Sequence, residues 1–194
     1  MLRRESAFGL DIGDASIKVM QISGRKTYAL RGFAEIPLPS GIVVQGEIKE
    51  PAKLADFIKT AVQTAHISGA YAVGALPESK TFIKVFSVAQ RELSSWRAVV
   101  EEELQKHIPY ELSEVWWDAV VLSKTPTTMT VLAGATPKTL VGTYLAAINT
   151  AGITTIMLDL EPLAIARAVF PSGVQQGCLL IVDLGATKST ILLA

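Results

Sequence analysis

Short apolar runs, broken by glycine and small polar residues, mark this chain as a series of strands and helices joined by tight turns. FGLDIGDASIKVMQIS, residues 8–23, gives two such runs around Asp11, Gly13 and Ser16. LLIVDLGATKSTILLA, residues 179–194, repeats the arrangement around Asp183, Gly185 and Ser189. Each reads as a β-hairpin with Asp-x-Gly at its turn. A turn near Gly24-Arg25-Lys26 leads into a third strand over Thr27–Leu38, which Pro37 and Pro39 end. From Pro51 the period becomes helical: Leu54, Phe57, Ile58, Ala61, Val62 and Ala65 share one face, and proline suits the first turn. AYAVGAL, residues 70–76, is a further strand.

The middle of the chain has another texture. TFIKVFSV reads as a strand and LSSWRAVVEEELQKHI as a helix, with Trp96, Val100 and Leu104 four apart and Pro109 ending it. WWDAVVL and TMTVLAGA are two strands around a turn over Lys124–Thr128. Thr136-Pro137 is expected to cap and open a helix whose face carries Leu140, Val141, Tyr144, Leu145 and Ile148, and Gly152 ends it. This strand–helix–strand–strand–helix block is expected to form a compact α+β insert. The tail returns to the first texture. TTIMLDLEPLAIARAVF is a strand running into a helix through Glu161-Pro162, and CLLIVD is apolar throughout, as a strand buried on both faces would be.

Composition narrows the partners. Lys and Arg number 18, Asp and Glu also 18, so no cationic excess points to nucleic acid. Mean hydropathy is positive, yet no apolar run reaches the about 18 residues of a spanning helix. Met1–Ser6 has no apolar stretch and cleavage site after it, as a signal peptide would. The single cysteine, Cys178, excludes an internal disulfide and is expected in the core. A cytosolic chain fits best. His66 and His107 lie near helix ends without ligand-spaced partners, and Glu101, Glu102 and Glu103 read as a solvated helix face. Trp116 and Trp117 point to opposite faces of their strand, one inward and the other available for contact.

The repeated hairpin is where chemistry enters. A turn carrying Asp-x-Gly and a hydroxyl can hold a phosphate, because glycine lets the backbone approach and its N–H groups point at the anion. The aspartates, Asp11 and Asp183, would hold Mg²⁺ through water, and Lys18 would reach the phosphates as a point charge. One Asp-x-Gly turn is ordinary turn chemistry. Two in matched settings, the second preceded by the Glu-Pro helix, carry the argument for nucleotide-binding ancestry.

FGLDIGDASIKVMQI, LDLEPLAIARAVF and LLIVDLGATKST resemble the first phosphate, connecting and second phosphate motifs of the actin-like ATPase superfamily, which includes actin, sugar kinases, heat-shock ATPases and the division protein FtsA. Within it, ALPESKTFIKVFSV and VVEEELQKHIPYELSEVWWDAVVL resemble the PilM family of type IV pilus assembly proteins. The resemblance spans residues 7–194 and implies an α/β, actin-like (ribonuclease H-like) lobe with a mixed sheet and flanking helices. It assigns residues 7–78 and 153–194 to that lobe and 79–152 to an inserted small α+β subdomain. It also implies a cytoplasmic scaffold, held at the inner membrane by the cytoplasmic N-terminal peptide of PilN, a single-span membrane protein. Asp11, Gly13, Ser16 and Lys18 would form the first phosphate clamp, and Asp183, Gly185 and Ser189 would belong to the second. Glu161 matches the position that orients attacking water in hydrolytic relatives, although an acid at a helix start is common for the dipole alone.

Three departures weaken the expectation of ATP and Mg²⁺. Asp14 stands where the family usually has Thr or Ser, and a carboxylate beside a polyphosphate repels it. Lys188 stands where the second motif usually has Thr. The family's second lobe, with its adenosine-binding glycines, lies beyond the second hairpin, where this sequence stops. The expectation is therefore a scaffold that binds ATP weakly or not at all. The rivals are an active actin-fold ATPase or sugar kinase, and the cytoplasmic domain of a type II secretion or competence relative.

Overall fold

In chain order, the first elements are β1 (Ala7–Ile12), β2 (Ser16–Ser23), β3 (Ala29–Pro37), β4 (Val43–Val44), β5 (Glu47–Ile48), α1 (Pro51–Thr64), β6 (Tyr71–Leu76) and β7 (Phe82–Ala89). There follow α2 (Trp96–Gln105), β8 (Val115–Lys124), β9 (Thr128–Pro137), α3 (Lys138–Thr150), β10 (Thr154–Leu160), α4 (Glu161–Val169), β11 (Leu180–Leu184) and β12 (Ser189–Leu193). The computed structural model describes residues 7–24, 27–89, 96–170 and 178–193. The expected turn residues Arg25 and Lys26, and the expected helix start at Leu93–Ser95, lie outside them.

The chain divides into two compact units: residues 1–79 with 143–194, and residues 80–142. The first is built on a five-stranded mixed sheet of order β10-β6-β1-β2-β3. β1 pairs antiparallel with β2 and β2 with β3, whereas β6 runs parallel to both β1 and β10. The alternation of the sequence explains the layer beneath. Phe8, Leu10 and Ile12 of β1 and Ile17 and Val19 of β2 are buried, and their strand neighbours are exposed or partly so. Helix α1 packs on β2 and β3. Its Leu54, Ala55, Ile58 and Ala61 are wholly buried, at helical spacing on the apolar face.

The second unit is a three-stranded antiparallel sheet of order β7-β9-β8 with α2 on one face. Val100 and Leu104 of α2 join Phe86, Val88, Val131 and Ala133 in its core. Trp117 packs against that core, while Trp116 faces out at 62% exposure with the Lys138 ammonium 5.0 Å from its ring centre. His107 sits between Lys84 and Glu103, and among the described residues no three acidic, imidazole or thiol groups gather as metal ligands.

Three expectations are corrected. Thr136-Pro137 is not a helix cap. β9 continues through both residues, pairing them with Trp116 and Val115, and α3 begins only at Lys138. Thr136 is buried, so the central strand gains more from completing its ladder than a hydroxyl cap would give. The CLLIVD run is not buried on both faces. β11 pairs with β12 alone, leaving Leu180, Val182 and Leu184 exposed. Cys178, just ahead of β11's first paired residue, is exposed and not a core residue.

Candidate functional site

The echo between the two hairpins is an echo of register. Gly13 N–H donates to the Ser16 carbonyl at 3.0 Å, and Gly185 N–H donates to the Lys188 carbonyl at 2.9 Å. The closing pairs are Ile12 with Ile17 and Leu184 with Ser189. Lys188 therefore occupies the place of Ser16, and Thr190 the place of Lys18. Ser189 corresponds to Ile17 and alternates onto the other face, so the sequence match misplaced the second hydroxyl by one residue. The hydroxyl on the face of Asp183, its cross-strand partner, is Thr190. It is buried and donates to Glu78 Oε2 at 2.7 Å. Counting from each aspartate, rather than matching residue types, would have found it.

Between these turns, within the first unit, lies a cavity of about 40 Å³. It is lined by Asp11 to Asp14, Gly46, Ala75 to Pro77, Glu161, Thr187 and Lys188. Asp11, Gly13 and Glu161 thus line one cavity. Ser16, Lys18, Asp183, Gly185 and Ser189 are not part of the lining.

Asp14, expected only to repel a phosphate, has a structural task. Its two carboxylate oxygens accept the N–H groups of Gln45 and Gly46, each at 2.9 Å, and Oδ2 also accepts the Thr187 hydroxyl at 3.1 Å. Gln45 and Gly46 both have positive φ, 51° and 75°, the two-residue turn that joins β4 to β5 with the twist of the strands. Glycine is needed at the second position for space as well: a Cβ there would lie 2.7 Å from the Pro77 ring. The Gly46 carbonyl in turn accepts the buried Tyr144 hydroxyl at 3.0 Å. Burial, and the nearby charges of Asp14, Glu161 and Asp11, raise the Tyr144 pKa so far that the phenol stays protonated as a donor.

Glu161 opens α4, where a carboxylate suits the helix dipole. Its Oε2 accepts the Glu78 N–H at 3.2 Å and the Lys188 ammonium at 2.7 Å. That oxygen therefore already has two donors, one of them charged. Across the sheet, Asp11 faces Lys18, whose ammonium lies 3.6 Å from Asp11 Oδ2 and 4.0 Å from Glu35. Ser16 also turns to Glu35, donating at 2.8 Å. Burial raises the Asp11 pKa, Lys18 partly offsets the rise, and the charges of Glu161 and Asp183 add to it.

This arrangement does not fit a hydrated Mg²⁺ with a polyphosphate. The carboxylates are the hard oxygen donors Mg²⁺ prefers. However, Lys188 already sits on one of them, and among the described residues no three such groups gather as metal ligands.

A family model described as "Type IV pilus assembly protein PilM" matches residues 9–193. The chain belongs to the PilM family. Among solved structures, the "PilM-PilN type IV pilus biogenesis complex" matches with a TM-score of 0.83 and 28% identity. That match covers 98% of this chain and 58% of the chain it aligns with, so this chain spans a little over half that length. The cytoplasmic domain of EpsL, an inner-membrane component of the type II secretion system of Vibrio cholerae, matches with a TM-score of 0.60. It is 12% identical, with 96% of this chain and 70% of that one covered, which is a likeness of fold alone. The mixed α/β architecture is that of the actin-like PilM fold. Among the described residues no helix is long and apolar enough to cross a membrane.

Proposed function

We propose that this chain acts as a scaffold of type IV pilus assembly, binding the cytoplasmic N-terminal peptide of a PilN-type inner-membrane protein. The observation that carries the reading is the family match over residues 9–193, together with the likeness to a PilM solved in complex with PilN. The zero net charge supports a partner recognised mainly by apolar anchors and backbone hydrogen bonds rather than by charge. Under this reading, localisation at the inner membrane comes from the peptide.

The Asp11–Gly13 and Asp183–Gly185 turns are, in this reading, the inherited frame of a phosphate clamp that holds ATP weakly or not at all. Hydrolysis is disfavoured because Glu161 is engaged by Lys188. Fluorescence anisotropy with a labelled PilN-type peptide at low and high salt tests the proposal. Saturable binding that survives added salt is expected. No binding, or binding that collapses with salt, would overturn it.

A further inference from the structure

β11 and β12 form a two-stranded sheet of their own, and such a hairpin is marginal in water unless it docks on something. Leu180, Val182, Leu184, Ile191 and Leu193 are exposed, so docking falls to the opposite face. Near the open end of the hairpin that face carries the buried Ile181. Toward the turn its character changes. Thr187 donates to Asp14 Oδ2 at 3.1 Å, Lys188 to Glu161 Oε2 at 2.7 Å, and the buried Thr190 to Glu78 Oε2 at 2.7 Å. Three donors at one turn thus meet carboxylates from three places: the β1–β2 turn, the start of α4 and the residues just after β6. Two of the acceptors are fixed in turn, Asp14 by the Gln45 and Gly46 amides and Glu161 by the Glu78 amide. Docking also brings the Asp183 charge toward Asp11, a repulsion that these donors must offset.

We propose that the β11–β12 hairpin is a strap with a polar latch: Thr187, Lys188 and Thr190 hold its turn closed on Asp14, Glu161 and Glu78, and it opens as a unit when they let go. Thr187 and Lys188 also line the cavity of about 40 Å³, so opening the strap removes one of the cavity's walls. The latch is poised rather than locked. The Lys188 and Glu161 side chains are 39% and 24% exposed, so salt screens their attraction. Thr190 is 6% exposed, and its hydrogen bond to a carboxylate is of the stronger, charge-assisted kind. Ile181, paired with Leu192 away from the turn, is the apolar anchor that makes the open end the hinge. The inference goes beyond the scaffold reading and does not rest on it.

The test is hydrogen exchange on the whole chain, read by mass spectrometry over β11–β12, with β1 and β6 as the internal reference. Thr190→Val keeps the shape and strand preference of the residue but removes the donor. Exchange across β11–β12 should become about tenfold faster, the scale of a hydrogen bond to a charged group, while β1 and β6 stay as they are. Thr190→Ser restores the hydroxyl and should restore slow exchange. In the unaltered protein, added salt should speed exchange of the hairpin alone. Lys188→Gln should exchange faster from the outset and be indifferent to salt. Unchanged hairpin exchange in either Thr190→Val or Lys188→Gln would overturn the proposal, as would a hairpin that ignores salt in the unaltered protein. Equal acceleration of β1 and β6 would overturn it too, because the hairpin would then not open as its own unit. So would Thr190→Ser exchanging as fast as Thr190→Val. None of these outcomes bears on the peptide titration, so the two readings fail separately.

Discussion

Asp11 is charged in a setting that favours its neutral form. Burial is the largest influence and Glu161 and Asp183 add to it, with Lys18 opposing, so its pKa in the folded chain lies above the ordinary 3.8. The sign follows from proton counting. Between 3.8 and the folded value, the folded state holds more proton than the unfolded state, so this residue's contribution falls as pH rises through that window. At pH 7 its charge is a burden that Asp11→Asn removes. The side chain keeps half of its accessible surface, so the gain is at most about 1 kcal/mol, or roughly 3 °C in melting temperature. Melting curves should show the variant level with or above the unaltered protein at pH 7, the gap closing below pH 4. A variant that melts several degrees lower at pH 7 would mean that the Lys18 pair outweighs burial. At this scale the sequence was only partly legible. Asp-x-Gly announced both turns because the motif is local. The partners of Asp14 are 31 and 32 residues away at Gln45 and Gly46, and no local pattern connects them. The hairpin turn at Gln45-Gly46 was hidden for a local reason too: glutamine, with its φ of 51°, is not a residue that announces a left-handed turn position.

Elements were legible where one periodicity ruled alone. α1 shows it: a proline start and apolar residues at helical spacing gave Leu54, Ile58 and Ala61 of its buried face, with Phe57 and Val62 at its partly buried margin and Ala55 the buried residue missed. The reading slipped where two local rules competed. Thr136-Pro137 satisfies the rule for a helix start, yet the ladder with β8 carries β9 through it. An apolar run likewise states only that a strand can be buried, not that it is, as the exposed face of β11 shows. α3 contains a further conflict. Gly142 stands inside the helix, with nothing within 4 Å of where a Cβ would be and no positive φ to require glycine. Glycine there weakens the helix through the entropy of the unfolded chain. Gly142→Ala is therefore expected to stabilise by about 0.5–1 kcal/mol, seen as a higher urea midpoint with an unchanged slope. A lower midpoint would mean that the helix needs its flexible point.

On the scale of the whole molecule, the same glycine marks a boundary. The compact units meet in sequence at Ser79–Lys80 and at Gly142–Thr143, the second of these inside α3. Each unit has its own wholly buried side chains: Leu54, Ile58 and Ile17 in the first, Val100, Leu104 and Val131 in the second. A unit with its own core opens as its own cooperative element, so damage to one core should be felt there first. Leu104→Ala removes a wholly buried side chain, a change of about 2–5 kcal/mol. Hydrogen exchange should then speed up across β7, α2, β8 and β9, while amides of α1 and β6 keep their protection. α3 is the informative segment, because it belongs to both units. Its residues before Gly142 should follow the damaged unit, and those from Thr143 onward, including Tyr144 with its hydroxyl on the Gly46 carbonyl, should stay with the sheet of the first. If α1 and β6 lose protection as much as β9 does, the chain opens as a single cooperative body and the division into two units has no energetic counterpart.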